Sequence, residues 1–174
     1  MRIQTRRSDN PEVKDALEQA IRRVSAIALV HNTLAEGFTE EVNFDEVFAD
    51  SMRLVGELAS ENSKTLKLRI DGKFGKLNSD QATPLAVALT ELVTNAATHG
   101  LGSHGGLISL NAKRTAKQLS IEVEDNGVGL KKDSIGTGLG TQIIKTLIEG
   151  ELRGKISWFS PKEGGTKVAI NIPL

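Results

Sequence analysis

The chain contains no cysteine in its 174 residues. Disulfides, thiolate metal ligands and cysteine-based catalysis are therefore excluded, and the composition is typical of a protein from a reducing compartment. An excess of one charge is also lacking, because Lys plus Arg and Asp plus Glu both total 22. A formal net charge of zero gives no general basic surface for nucleic acid, so any electrostatic recognition has to be local.

Long hydrophobic runs are missing as well. No apolar stretch approaches the roughly 20 residues that a membrane helix needs, and the sequence shows no signal peptide. We therefore expect no membrane contact from this segment and a cytoplasmic location. At 39% hydrophobic content, the chain can still bury one good core together with a smaller appendage.

A predicted helix from about Asp80 to His99 carries polar groups inside an otherwise apolar pattern. Glu91 and Asn95 are one turn apart and share an edge with Thr98 and His99. A carboxylate and an amide oxygen at this spacing can hold a hard cation such as Mg²⁺ or orient water around it. The buried stripe of the same helix is predicted to consist of Leu85, Ala88, Leu89, Leu92 and Ala96.

A second polar cluster, Asp125-Asn126-Gly127-Val128-Gly129, directly follows the alternating run of a predicted strand. Further along, a glycine-rich loop that contains Gly136, Gly138 and Gly140 enters a helix. Backbone N–H groups at such a helix start, without side chains in the way, form an anion site suited to phosphates. The sequence thus offers candidate metal, base and phosphate sites.

Four motifs occur in order: Glu-x-x-x-Asn, Asp-x-Gly-x-Gly, Gly-x-Gly-Leu-Gly and Gly-Gly-Thr. This set resembles the GHKL ATP-binding superfamily, which includes histidine kinases, anti-sigma serine kinases, gyrase and MutL-type ATPases, and one class of chaperone. The resemblance is strongest to bacterial two-component sensor histidine kinases of the HWE-related class and covers nearly the whole chain. It implies that residues 37–174 form a catalytic ATP-binding domain. The predicted order of strands and helices also favours an α+β sandwich, a mixed sheet with helices on one face.

The resemblance implies a role for each motif. Asp125 would accept a hydrogen bond from the adenine amine, with Thr166 also reaching the adenine, whereas Asp-Asn-Gly taken alone favours a simple turn at Asp125. Gly127 and Gly129 would let the backbone approach the nucleotide closely. The lid and the helix start would contact the phosphates through Lys131 (or Lys132), Gly136, Gly138, Leu139, Gly140 and Thr141.

For the helix motif, the resemblance implies that Asn95 carries the Mg²⁺ that bridges the phosphates. Glu91 would position a water of the metal or act as a base, and a solvated helix glutamate is the alternative. His99, the final residue of this motif, would also contact the nucleotide. Thr98 departs from the pattern, because relatives often carry lysine at this position.

The N-terminal region is predicted to contain a long helix with apolar residues at alternating steps of four and three, the seam of a helical bundle. The resemblance implies that residues 1–36 are the end of the first helix and the second helix of a dimerisation and phosphotransfer hairpin. In relatives the phospho-accepting histidine lies on the first helix, upstream of the segment Arg2–Arg7, so we expect a fragment of a longer, homodimeric protein. His31 occupies a seam position, which favours a packing role.

We therefore predict a histidine kinase domain that transfers the γ-phosphate of Mg-ATP to a histidine, for relay to the aspartate of a response-regulator receiver domain. This fragment is not expected to phosphorylate itself. Two alternatives share the motifs: an anti-sigma-factor-like serine kinase, and a GHKL ATPase fragment in which Glu91 would activate water. The long helix before Leu34 and the short lid favour the histidine kinase.

Overall fold

The computed structural model describes residues 41–61, 66–101, 105–129 and 139–174, and four helical positions at 17, 20, 21 and 24. In chain order the elements are β1 Glu41–Asn43, α1 Phe44–Glu61, β2 Leu66–Gly72, β3 Lys76–Asn78, α2 Ser79–Asn95 with a π-helical extension Ala96–Gly100, β4 Gly106–Arg114, β5 Gln118–Asp125, α3 Leu139–Lys145 with a π-helical extension Thr146–Glu151, β6 Lys155–Phe159 and β7 Thr166–Pro173.

Five strands form one mixed sheet in the order β2-β4-β5-β7-β6. The β2–β4 pair is parallel, and the other pairs are antiparallel. Along β5 the residues alternate between exposed and buried, so one face of the sheet supplies the core and the other meets solvent. Strands β4 and β5 form an antiparallel hairpin, and its second strand ends at Asp125, where the glycine turn begins.

Helix α2 is the centre of the helical layer and packs against both α1 and α3. It begins at Asn78, whose side chain accepts a hydrogen bond from the Gln81 backbone N–H at 2.9 Å, as expected of an N-cap. All members of the predicted apolar stripe are buried. The burial is wider than predicted, because Thr90, Glu91 and Thr94 are also buried. Neighbouring helices on both sides therefore enclose α2 instead of leaving it a solvent face.

Three phenylalanines anchor the start of α1. Phe44, Phe48 and Phe74 are at most 1% exposed, and the Phe74 ring lies 5.2 Å from the ring of each of the other two. The carboxylate of Asp45 accepts the backbone N–H groups of Phe74 and Gly75, each at 2.9 Å. These contacts bind the β2–β3 turn to the helix. Strand β1 pairs antiparallel with β3 at the same place.

Of the predicted N-terminal helix, Leu17, Ala20, Ile21 and Val24 are helical. The rest of that hairpin, including His31, lies outside the described residues. Among the described helices, none combines the length and the apolar content that crossing a bilayer demands.

Candidate active site

The adenine-site candidate, Asp125, is the last residue of β5 and is 5% exposed. Its Oδ1 accepts the backbone N–H of Gly127 at 2.9 Å, which folds the chain into a tight turn directly after the strand. Two hydrogen bonds to Leu107 fix the next residue, Asn126. Its Oδ1 accepts the Leu107 N–H at 2.8 Å, and its own backbone N–H donates to Leu107 O at 3.2 Å. The turn and the aspartate role are therefore compatible, since the second carboxylate oxygen is not used by the turn.

Glycines allow three backbone segments to meet around this carboxylate. A Cβ at Gly100 would lie 3.0 Å from both oxygens of Asp125, and a Cβ at Gly127 would lie 2.0 Å from Gly100 O. A Cβ at Gly165 would lie 1.9 Å from Asp125 O. Backbone hydrogen bonds join the same segments, from Val128 N to Gly100 O and from Gly165 N to Gly127 O, both at 2.9 Å. A side chain at Gly127 or Gly165 would force the backbone apart, and one at Gly100 would press on the Asp125 carboxylate.

The metal-site candidates lie on α2, where it faces the start of α3. Glu91 is 2% exposed and Asn95 is half-buried. A Cβ at Gly140 would lie 3.5 Å from Glu91 Oε2, 3.5 Å from Asn95 Nδ2 and 3.8 Å from Asn95 Oδ1. The structure thus brings the carboxylate, the amide and the first turn of α3 together, as the motif order suggested. The burial of Glu91 argues against a merely solvated helix glutamate.

Glu91 and Asn95 carry donor atoms that suit a hard cation whose other ligands are phosphate oxygens. A carboxylate and an amide oxygen are donors that Mg²⁺ accepts, and Mg²⁺ commonly takes one or two protein ligands and completes its shell with phosphate oxygens and water. The described residues contain no cluster of three His, Cys, Asp or Glu side chains.

The remaining predicted residues fall into three groups. Thr166 pairs directly with Asp125 across β5 and β7, so its half-buried side chain lies next to the carboxylate. Gly129 has φ 78°, a left-handed backbone that favours glycine, and Leu139 and Thr141 lie in the first turn of α3. His99 is exposed and makes no hydrogen bond or ion pair within the described part of the chain. Lys131, Gly136 and Gly138 lie outside the described residues.

Two contacts were not predicted from the sequence. Gly100 and Gly165 approach Asp125 and its turn closely, although no role was assigned to either. Their signal was present, since Gly100 follows the helix motif and Gly165 belongs to Gly-Gly-Thr. What the sequence could not show is that α2 ends in a π-helical turn, Ala96–Gly100, which places Gly100 over the aspartate.

Comparison with known families gives two matches. Residues 80–174 match the family described as histidine kinase-, DNA gyrase B-, and HSP90-like ATPase. Residues 1–65 match a family described as histidine kinase. Every described site residue from Glu91 to Thr166 lies within the first match.

Curated relatives include the sensor histidine kinase PdtaS of Mycobacterium tuberculosis, 37% identical over 183 residues that cover 100% of this chain and 36% of the relative. PdtaS of Mycolicibacterium smegmatis is 36% identical over 183 residues, which again cover 100% of this chain and 36% of the relative. The chain thus spans about a third of the length of these relatives.

Among solved structures, the histidine kinase domain of the Erythrobacter litoralis blue-light activated histidine kinase aligns with a TM-score of 0.77 at 21% identity, over 90% of this chain and 75% of that one. The catalytic domain of histidine kinase ThkA aligns with a TM-score of 0.62 at 23% identity, over 76% and 93%. The predicted fold, an α+β sandwich of the GHKL type, is therefore confirmed.

Proposed function

Because the chain belongs to the histidine kinase-, DNA gyrase B- and HSP90-like ATPase family, we propose that it contains the ATP-binding catalytic domain of a sensor histidine kinase. The catalytic domain would comprise residues 37–174, and residues 1–36 would belong to the dimerisation hairpin. The match of residues 1–65 to a histidine kinase family and the similarity to PdtaS support this reading over a serine kinase or a gyrase-like ATPase.

The observation that carries the proposal is the placement of two chemically different sites along one helix. Glu91 and Asn95 face the start of α3, and the π-helical end of the same helix reaches the carboxylate of Asp125 at Gly100. A hydrogen-bond acceptor suited to a base and a polar pair suited to a metal phosphate therefore lie less than three helical turns apart. ATP requires both kinds of site at once.

Each residue then has a defined task. The free oxygen of Asp125 accepts the adenine amine, while its other oxygen holds the turn through Gly127 N–H. The N–H groups at the start of α3 bind phosphate oxygens, because no intrahelical acceptor is available to them. Glu91 and Asn95 would hold Mg²⁺, which supplies neutralisation of the phosphate charge when bound.

Phosphoryl transfer itself needs mainly positioning and charge neutralisation from the protein. Glu91 is buried beside the first turn of α3, so it can orient a metal-bound water or take the proton from an attacking nitrogen. The proposed acceptor is a histidine of a hairpin helix, and the proposed onward acceptor is an aspartate of a response-regulator receiver domain. Acid-labile phosphate on His31 after incubation with ATP would contradict the placement of the acceptor on the first hairpin helix.

A homodimer through the hairpin is part of the proposal. Val24, one of the predicted seam residues, is 58% exposed. A second copy of the hairpin would cover such a residue in a helical bundle.

The decisive experiment is a calorimetric titration of the wild-type chain and Asp125→Asn with ATP in the presence of Mg²⁺. The side-chain amide of asparagine has only one atom that accepts hydrogen bonds. In Asp125→Asn, either this oxygen keeps the turn and the N–H₂ group faces the adenine amine, or the turn is lost. We expect affinity to fall by about 10- to 150-fold, corresponding to the loss of one charge-assisted hydrogen bond.

Glu124→Gln is the matched control, because it makes the same chemical change one residue earlier, on the exposed face of β5. Its affinity should equal that of the wild type. An affinity of Asp125→Asn equal to that of the wild type would contradict the proposed adenine site, and the absence of any ATP binding to the wild type would contradict the proposed function.

A further inference from the structure

A second concavity lies at the end of the sheet opposite to the candidate active site. Strands β5 and β7 connect the two places: Asp125 pairs with Thr166 at one end, and Gln118 pairs with Pro173 at the other. Asp125 and Gln118 are seven residue steps apart along the extended strand, which corresponds to about 23 Å. The concavity is shallow and open to solvent, with a volume of about 310 Å³.

Its charge is entirely positive. Lys117, Arg153 and Lys155 line the concavity, and none of its lining residues is acidic. None of the three has an ion-pair partner within 4 Å in the described part of the chain, whereas Lys167 on the same sheet lies 3.0 Å from Glu122. Three uncompensated cations around one hollow create a local positive potential, although the chain as a whole is neutral.

Of the two neutral polar side chains in the lining, Asn171 favours an anion. Asn171 Oδ1 accepts hydrogen bonds from Gln118 Nε2 and from Ser120 Oγ, each at 2.8 Å. These bonds fix the orientation of the Asn171 side-chain amide, so its N–H₂ group remains available to donate to a ligand. Gln118 uses its Nε2 in the contact with Asn171 and offers its Oε1 acceptor, so the donors available to a ligand come from Asn171 and from the three cations.

The backbone at Arg153 is unusual. Its φ of 51° is the single positive value of a non-glycine residue in the described ranges. The following Gly154 packs so closely that a Cβ there would lie 2.6 Å from Asn171 O. Glycine would adopt the left-handed conformation at position 153 more readily than arginine does, so the local backbone gives no reason for an arginine there.

We propose that this basic concavity, defined by Lys117, Arg153 and Lys155, docks an acidic segment of a partner protein through its carboxylate side chains. The volume suits one or two side chains at the lower end of ligand-site sizes. No aromatic residue lines it, so it lacks the stacking surface that single-stranded nucleic acid uses. The proposal does not depend on the nucleotide site at the other end of the strands.

The test measures fluorescence anisotropy of a labelled short peptide of alternating Asp and Glu, with the Asn and Gln analogue as the uncharged probe. We expect saturable binding of the acidic peptide that weakens with salt. The double variant Arg153→Gly with Lys155→Gln should weaken it by about tenfold or more, since it removes two of three converging charges.

The matched control is Lys67→Gln with Lys76→Gln, which removes the same charge from exposed positions on β2 and β3. It should change the affinity by less than about twofold. Equal losses in the two doubles, or no binding to the wild type, would overturn the proposal. An oligothymidylate that binds as tightly as the peptide, with the same dependence on Arg153 and Lys155, would assign the concavity to nucleic acid instead.

The emission of Trp158, the one tryptophan of the chain, verifies that each variant is folded. Arg153→Gln with Lys117→Gln provides a second double variant that keeps a side chain at position 153. The same tenfold loss is expected from it.

Discussion

Replacing Gly140 by alanine should make the protein more stable and at the same time weaken its binding of ATP. The first effect follows from the backbone. Gly140 is the second residue of α3 and has no positive φ, and the added methyl group would meet its nearest neighbours at 3.5 Å, an ordinary contact distance. Alanine is favoured over glycine in helices by about 0.5–1 kcal/mol, and a position in the first turn lies at the lower end of that range. We therefore expect a gain of about 0.5 kcal/mol, or about 1–2 °C in Tm.

The second effect follows from what the methyl group would occupy. Its neighbours at 3.5 Å are Glu91 Oε2 and Asn95 Nδ2, so it fills the space between the proposed metal ligands and the proposed phosphate-binding turn. A single added methylene in a binding site changes affinity by about 10- to 200-fold, and we expect a loss in this range for Mg-ATP.

Intrinsic fluorescence can measure both quantities on the same sample. Trp158 is the one tryptophan, and tyrosine is absent from the sequence. The indole lies beneath Lys145 of α3, with the Lys145 Nζ 5.3 Å from the ring centroid, so its emission reports on the packing of that helix. Urea unfolding gives the stability, and titration with Mg-ATP gives the affinity if the emission responds, with calorimetry as the independent measurement.

Gly150→Ala is the matched control, because Gly150 lies at the other end of the same helical segment and an added Cβ would meet only Thr146 Cγ2, at 4.0 Å. It should not lower the affinity. If Gly140→Ala bound Mg-ATP as tightly as the wild type, the phosphates would not approach α3 at this turn, and the pairing of Glu91 and Asn95 with phosphate would be wrong.

Three further predictions concern other parts of the chain. At saturating Mg-ATP, Glu91→Gln should slow transfer to a supplied acceptor helix by about 100-fold; Thr90→Val, which removes a buried hydroxyl that has no hydrogen-bond partner among the described residues, should not slow it. Unchanged transfer in Glu91→Gln would rule out the base role. Asp45→Asn should lower the free energy of unfolding by about 2 kcal/mol, because an amide can accept only one of the two N–H groups of the β2–β3 turn, whereas Asp50→Asn on the exposed side of α1 should cost less than about 0.5 kcal/mol; equal urea midpoints would contradict this. Arg153→Gly should raise the free energy of unfolding by up to about 1 kcal/mol by relieving the left-handed backbone, and a measured loss would show that the arginine side chain stabilises the fold.

The elements themselves could be predicted because their signals are local. Asn78 caps α2 as its side-chain chemistry requires, and the alternation in β5 determines which side chains enter the core. Each of these features depends on residues within a few positions of one another.

The closest contacts of the site could not be predicted, because they join residues far apart in the sequence. Gly100 meets Gly127 only if α2 ends in a π-helical turn, and no periodicity in Ala96–Gly100 signals such a turn. The near-complete burial of α2 was also missed for this reason. It depends on α1 and α3 covering opposite sides of a helix whose own pattern shows one apolar stripe.

These long-range contacts explain why the motifs occur as a set. Asp125 is held by β5, by the turn at Gly127, by the end of α2 at Gly100 and by the start of β7 at Gly165, so three of the four motifs converge on one carboxylate. The Gly-x-Gly-Leu-Gly motif reaches the same helix α2 from the other side, at Gly140. A side chain at Gly100, Gly127 or Gly165 would displace the aspartate without removing it, since the nearest atoms are backbone or the carboxylate itself. Binding of the adenine and stability of the sheet end should therefore fall together in such variants, in contrast to Gly140→Ala, where they change in opposite directions.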